Sequence, residues 1–318
     1  MTSPYSVPIG SVPLTRDLDR AAGALAAGGL VGMPTETVYG LAADAANADA
    51  VARVYAVKGR PRDHPLILHV ASSEGLDRYG ADVPDSARRL AEACWPGPLT
   101  VLVGRSAAVP DGITGGRSTV AIRVPAHPLA TGIIERLNRA VVAPSANRFG
   151  RVSPTTPRHV LDELGDALDP DRDLVLDGGA TTVGIESTIV DCTTPVPQVL
   201  RPGAITAAEI ERIVGGVAAA SGPARAPGML VRHYSPVAAV EVFEDREAAE
   251  RRQAQLTADG VAVDVLHVDD SAEYARVLYQ RLRAADDAGV AFVLAVLPSP
   301  EGIGIAVRDR LHRASAGR

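Results

Sequence analysis

The sequence predicts an α/β protein: a mixed sheet over the first two-thirds, a linker, and a small doubly wound α/β unit at the end. Three observations predict it. Short apolar runs alternate with segments of helical apolar spacing, as an α/β sheet requires. Turn signals rather than helices separate several runs, which points to a mixed rather than a purely parallel sheet. A Gly- and Pro-rich stretch at 215–236 divides the chain.

The elements follow in order. Within 15–27, Leu18, Ala21, Ala22 and Leu25 recur at helical spacing, with Thr15 as the expected N-cap. Gly28-Gly29 ends that helix, and 30–33 reads as a short buried strand. Asn47 is expected to cap a helix with the apolar face Val51, Val54 and Tyr55, ending near Lys58. A strand at 66–70 and a helix at 84–94 come next; Trp95-Pro96-Gly97-Pro98 stops the helix. Further strands are expected at 99–103, 119–124, 140–143, 174–176, 187–191 and 198–200. Beyond the linker, strands at 239–243, 261–266 and 291–297 alternate with helices at 246–256, 272–287 and 303–314. The expected units are therefore 14–204, a linker or lid at 205–238, and 239–318.

Composition narrows the function. The 318 residues suffice for two domains of ~150 residues each. With 46% apolar and 22% charged residues, general disorder and a coiled coil are excluded. The net charge of −6 argues against a molecule that binds polyanions all over. The stretch 240–318, with 14 acidic residues against 10 arginines, is a poor nucleic-acid surface. Three Phe, seven Tyr and one Trp are too few for a single-strand stacking platform. Two cysteines, Cys94 and Cys192, make neither a disulfide scaffold nor a four-Cys zinc site. No run of about 18 apolar residues exists, so no membrane span is expected. The start of the chain lacks the basic and apolar regions of a signal peptide, so a reducing, cytoplasmic setting is the expectation.

Lys58 is the single lysine beside 31 arginines. Arginine thus serves wherever a generic cation suffices, and position 58 reads as one that needs a compact ammonium. A chance survivor on a solvated face is the competing reading. Lys58, Arg60 and Arg62 place three cations in five residues beyond a helix, a donor set suited to phosphates. The loop PTETVYGL (34–41) crowds two threonines, a carboxylate and a tyrosine after a buried strand, where α/β sheets bind ligands. In STVAIRVP (118–125), Arg123 sits among apolar neighbours and needs a partner, a structural carboxylate or a substrate one. APSAN (143–147), ESTIVD (186–191) and LRPGAI (200–205) bring further polar groups to strand ends. Each fits an ordinary turn when read alone. No Walker loop, dinucleotide fingerprint, Ser-His-Asp order or zinc-ligand spacing is present.

Taken together, PTETVYGL, KGRP with PLILH, STVAIRVP, APSAN, ESTIVD and LRPGAI resemble the YrdC-like family. With the RHYSP element (232–236) and the second unit, the chain resembles the long-form L-threonylcarbamoyladenylate synthases of that family, from about residue 14 to 316. The resemblance implies an open, twisted mixed α/β sheet around a basic cavity, followed by a Rossmann-like domain. It implies an enzyme that joins L-threonine, bicarbonate or CO2, and ATP into threonylcarbamoyl-AMP and pyrophosphate. A separate transferase then carries the group to the tRNA adenosine beside the anticodon.

By the same resemblance, Lys58 and Arg60 are the catalytic pair and hold phosphates. His64, Thr119, Ser145, Asn147, Ser153, Arg201 and Tyr234 complete the ATP site. Thr37, His69, Arg123, Ala143 and Ser187 hold threonine, with Arg123 forking onto its carboxylate. His64 departs from the asparagine common in the family, and a protonating imidazole there adds pH dependence. Mg²⁺ is expected with ATP and pyrophosphate, on substrate oxygens, with no dedicated protein cage. The element Arg232-His233-Tyr234-Ser235-Pro236 departs from the family's HYAP by serine for alanine, and is expected to cover the cavity. Two readings compete. Related domains in hydrogenase maturation and antibiotic carbamoylation handle carbamoyl-adenylate, but with transferase domains this chain lacks. A structured-RNA binder is the other, with Arg60, Arg62, Arg148 and Arg151 on phosphates.

Overall fold

In the computed structural model, residues 12–221 and 234–316 are described. Capping chemistry sets the element ends. Asn47 accepts from the backbone N–H groups of Asp49 and Ala50 at 3.1 and 3.0 Å, and Gly59 closes the same helix at φ 62°, as the sequence predicts. The first helix is capped instead by Asp17, because Thr15 belongs to a strand paired with Leu176.

The first unit runs β1 (Leu14–Thr15), α1 (Leu18–Ala26), β2 (Val31–Met33), β3 (Gly40–Asp44), α2 (Ala48–Lys58), β4 (Ile67–His69), α3 (Glu74–Tyr79) and β5 (Gly80–Ala81). It continues with α4 (Asp85–Cys94), β6 (Leu99–Arg105), α5 (Asp111–Thr114), β7 (Thr119–Arg123), α6 (Pro128–Leu137) and β8 (Val141–Val142). Then come α7 (Pro157–Leu164), β9 (Leu174–Leu176), β10 (Thr188–Asp191), β11 (Gln198–Arg201), α8 (Ala207–Val214) and β12 (Ala218–Ala219). The second unit is β13 (Ala239–Phe243), α9 (Arg246–Ala258), β14 (Val263–Leu266), α10 (Ser271–Asp287), β15 (Phe292–Val296) and α11 (Gly304–Ser315).

The large sheet has the order β1-β9-β2-β3-β8-β4-β7-β6-β10-β11-β12, with β5 added on β6. It is mixed: β4 and β7 are parallel, β6 and β7 antiparallel. Helices cover both faces. Leu41 of β3 joins one core with Val54 of α2 and Leu90 of α4, while the next residue, Ala42, joins the core of α1 and α6. Full burial of a leucine such as Leu41 contributes about 1.5–3 kcal/mol. The small sheet, β13-β15-β14, is parallel throughout.

Two expectations are corrected. The linker does not begin at 205: α8 follows at once, held by a Thr206–Glu209 capping box. Most of the Gly- and Pro-rich part lies outside the described residues. Gly40 and Leu41, expected as the end of the 34–41 loop, open strand β3 instead. No described helix is long and apolar enough to cross a membrane.

The second unit is packed tightly on the first. Val38, Val152 and Ile185 belong to the same core as Leu278 of α10 and Val307 of α11. A Cβ on Gly184 would lie 2.4 Å from the Ala275 carbonyl oxygen, so this glycine permits the close approach of α10.

Candidate active site

The site forms where several strands end. Parallel β4 and β7 place His69 directly beside Arg123. After β2 the chain turns sharply: the Thr35 hydroxyl donates to the Val38 carbonyl at 2.6 Å and accepts from the N–H groups of Thr37 and Val38, each at 3.2 Å. That turn aims Thr37 inward. Glu36 turns to Arg123, whose Nη2 donates to Oε1 at 2.7 Å, while the Ala126 N–H donates to Oε2 at 3.1 Å. Arg123 Nε donates to the Gly97 carbonyl at 3.2 Å. The buried arginine therefore has a carboxylate of its own, and its Nη1 has no partner among the described residues.

One cavity joins these elements. Thr37, His69, Arg123, Ala143 and Ser187 line it, the whole set that the resemblance assigns to threonine. Of the expected ATP set, Arg60, Ser145, Arg201 and Tyr234 line it too. Lys58, His64, Thr119, Asn147 and Ser153 do not line the cavity, each for a visible reason. Lys58 is buried, and its Nζ donates to the carbonyls of Ser145 and Asn147, both at 2.5 Å. Through those two contacts Lys58 braces the 145–147 segment of the wall. Asn147 Nδ2 is spent on the carbonyls of Arg148 and Arg151. The Ser153 hydroxyl donates to Glu186 Oε1 at 2.6 Å. The His64 ring stands edge-on to Phe149, with centroids 5.3 Å apart. Thr119 opens β7, at the end of that strand opposite Arg123.

The electrostatics are those of an anion site. Burial, helped by Arg201, lowers Arg60 to about 10, so its guanidinium stays charged at neutral pH. Glu186, also in the wall, is raised by burial but drawn down further by Arg310, Arg201 and the Ser153 hydroxyl, to about 2, so it is ionised. His69 is pushed down to about 3, first by burial and then by Arg123, so it is a neutral imidazole. Its Nδ1 donates to the Ile67 carbonyl at 3.3 Å, which leaves Nε2 as an acceptor.

The lowered histidines have a cost in acid. His159 is pushed down to about 4, by burial and then by Arg283. The unfolded chain protonates such a histidine near 6.5, so the stability it contributes is complete above that pH and is lost as pH falls toward 4. Each pH unit of that interval is worth about 1.4 kcal/mol. The urea midpoint should therefore fall steadily below pH 6.5, and His159→Gln should flatten part of the fall. An unchanged slope in that variant would refute this assignment.

Sequence reasoning missed Glu36, Glu186, Tyr279 and Arg310. Glu36 had a signal: a buried Arg123 needs a carboxylate, and PTETVYGL contains one. Tyr279 and Arg310 reach Glu186 from the second unit, through contacts that no local pattern encodes.

Comparison with known proteins places this geometry. A family model described as telomere recombination, of the Sua5–YciO–YrdC type, matches residues 23–203. A second, described as threonylcarbamoyl-AMP synthase, C-terminal domain, matches residues 205–316. The chain is 41% identical to a threonylcarbamoyl-AMP synthase of Pyrococcus abyssi, over 94% of each chain. It is 36% identical to one of Bacillus subtilis, over 94% of this chain and 93% of the relative. A crystal structure of P. abyssi Sua5 complexed with L-threonine superposes with a TM-score of 0.90 at 39% identity, covering 96% of this chain and 98% of that one.

Proposed function

We propose that this chain, which belongs to the Sua5–YciO–YrdC family, joins L-threonine, bicarbonate or CO2, and ATP into threonylcarbamoyl-AMP and pyrophosphate. The product would serve threonylcarbamoylation of the tRNA adenosine beside the anticodon by a separate transferase. In this reading the enzyme works in the cytoplasm, where ATP and tRNA are both at hand. One observation carries the reading: Arg60, Arg123 and Arg201 line a single cavity together with Thr37, Ser145 and Ser187.

The chemistry asks for positioning and neutralisation of charge. The threonine amine takes up CO2 and releases a proton, giving a carbamate anion. A carbamate oxygen attacks the α-phosphorus, and the bond to the pyrophosphate oxygen breaks. Little proton transfer accompanies that second step, so fixed cations and oriented donors are the main requirement. In this reading Arg60 and Arg201 meet the phosphates, with Ser145 and Tyr234 on the nucleotide. Arg123 meets the threonine carboxylate end-on through Nη1, since Nε and Nη2 already serve Gly97 and Glu36. Thr37, the acceptor Nε2 of His69, the backbone of Ala143 and Ser187 surround the amino acid. Lys58, Asn147 and Ser153 hold the wall, and His64 and Thr119 lie outside the lining of the cavity.

Mg²⁺ enters as part of the nucleotide substrate, on phosphate oxygens and water. Among the described residues no cluster of three or more His, Cys, Asp or Glu offers a resident site. The nearby Glu36 and Glu186 are engaged by Arg123 and Arg310. Tyr234 supports the idea that the RHYSP element covers the cavity and excludes water; Arg232 and His233 lie outside the described residues.

The test is mass spectrometry of a reaction holding ATP, bicarbonate and threonine. The expected outcome is the threonylcarbamoyl adenylate, formed with stoichiometric pyrophosphate. Pyrophosphate release that ignores threonine would overturn the reading.

A further inference from the structure

The turn after β2 fixes the direction of its own hydroxyl protons. Thr35 and Thr37 are both buried, and their side-chain oxygens lie 2.8 Å apart. That is the ordinary length of an O–H···O bond, so one proton stands between them. A threonine hydroxyl has a single proton to give. The Thr35 oxygen also lies 2.6 Å from the Val38 carbonyl oxygen, which can only accept, so the Thr35 proton is spent there. Turned toward Thr37 instead, it would leave two buried oxygens 2.6 Å apart with no proton between them. The proton of the Thr35–Thr37 contact therefore comes from Thr37.

The consequence reaches the cavity. Thr37 lines it, and Thr35 stands behind the lining. With its proton held by Thr35, the Thr37 oxygen has only lone pairs left to offer a ligand. His69, in the same lining, arrives at the same polarity by a separate route. Its Nδ1 proton goes to the Ile67 carbonyl at 3.3 Å, so Nε2 presents a lone pair. Two acceptors thus share one wall, and a ligand that satisfies both must bring two hydrogen-bond donors. Threonine carries them on its amine and on its side-chain hydroxyl. An amino acid without a side-chain donor leaves a buried acceptor unpaired, which costs more than a contact merely forgone.

We propose that Thr35 is a positioning residue for substrate selection: it takes the Thr37 proton, so that Thr37 and His69 meet the amino acid as a pair of acceptors and select a side chain that donates. The assignment rests on the reading that this end of the cavity holds threonine.

The test compares two ligands on the full chain by calorimetry: L-threonine, and O-methyl-L-threonine, whose ether oxygen only accepts. The wild-type protein should bind the ether about 100-fold more weakly. Thr35→Val frees the Thr37 proton to turn inward and donate to the ether, so that ratio should shrink by about tenfold. Thr35→Ser keeps the acceptor and should restore the wild-type ratio. In a Thr37→Val background, Thr35→Val should leave the ratio unchanged, because no hydroxyl remains to be turned. A loosened turn that merely admits the extra methyl group would shrink the ratio equally in both backgrounds and would overturn the proposal. So would a wild-type ratio near one, or no change in Thr35→Val. Thr35→Cys covers a Thr35→Val that fails to fold: a thiol is a weak acceptor, so the ratio should shrink by about threefold, and an unchanged ratio would overturn the proposal. If the wild-type protein binds no threonine, the amino-acid reading of the cavity fails and the proposal with it. If it binds threonine and the ratio ignores Thr35, only the proposal fails.

Discussion

Lys58→Ala is expected to abolish threonylcarbamoyl-AMP formation, with a loss of at least about 100-fold. The cause is geometric. The Lys58 ammonium donates to two backbone carbonyls, those of Ser145 and Asn147, and these residues flank the turn that puts Ser145 into the cavity wall. Alanine leaves both carbonyls buried without that donor, at about 1–3 kcal/mol each. The turn would then move, and reacting groups displaced by about 1 Å cost some two orders of magnitude in rate. Lys58→Arg should keep part of the activity, because a planar guanidinium retains charge but cannot fill the place of a compact ammonium. Product measured by mass spectrometry, beside the dissociation constant for ATP, checks both variants. Wild-type turnover in Lys58→Ala would remove this residue from the account.

The same residue shows what a sequence discloses and what it hides. That one lysine survives among 31 arginines marks position 58 as special. It does not say whether the ammonium points at a ligand or at the protein. The helix end decides that: Gly59 turns the chain in the left-handed region, and the Phe149 N–H donates to the Lys58 carbonyl at 2.7 Å. Those contacts fasten the 145–149 segment over the side chain. The second unit was legible to within two residues at every element boundary, since each apolar run there is bounded by turn residues. Helix α6 was not, because Gly132 and two isoleucines weaken its helical pattern while Pro128 at its start reads as a stop. Helix α8 was hidden in an apparent linker, although Thr206 and Glu209 carry the capping box in plain sequence. Local chemistry thus fixes caps and strand ends. It is silent on Arg310, whose partner Glu186 lies 124 positions away.

Arg123→Met should raise the KM for threonine by about 100-fold, the scale of losing one partner of a buried charged contact, and change the KM for ATP far less. The prediction must be separated from simple unfolding. Arg123 and Glu36 are 5% and 10% exposed, so removal of the cation leaves a buried carboxylate without its counter-charge, a loss of about 3–5 kcal/mol in stability. Glu36→Gln added to Arg123→Met removes that unpaired charge, and the Ala126 N–H retains an acceptor oxygen in the amide. The double variant should therefore recover most of the stability while threonine affinity stays weak, because the guanidinium proposed to meet the substrate carboxylate is still missing. Urea unfolding and pyrophosphate release at varied threonine give the two readouts. If threonine affinity returns together with stability, Arg123 serves the fold alone, and the amino-acid end of the cavity must be assigned to other groups.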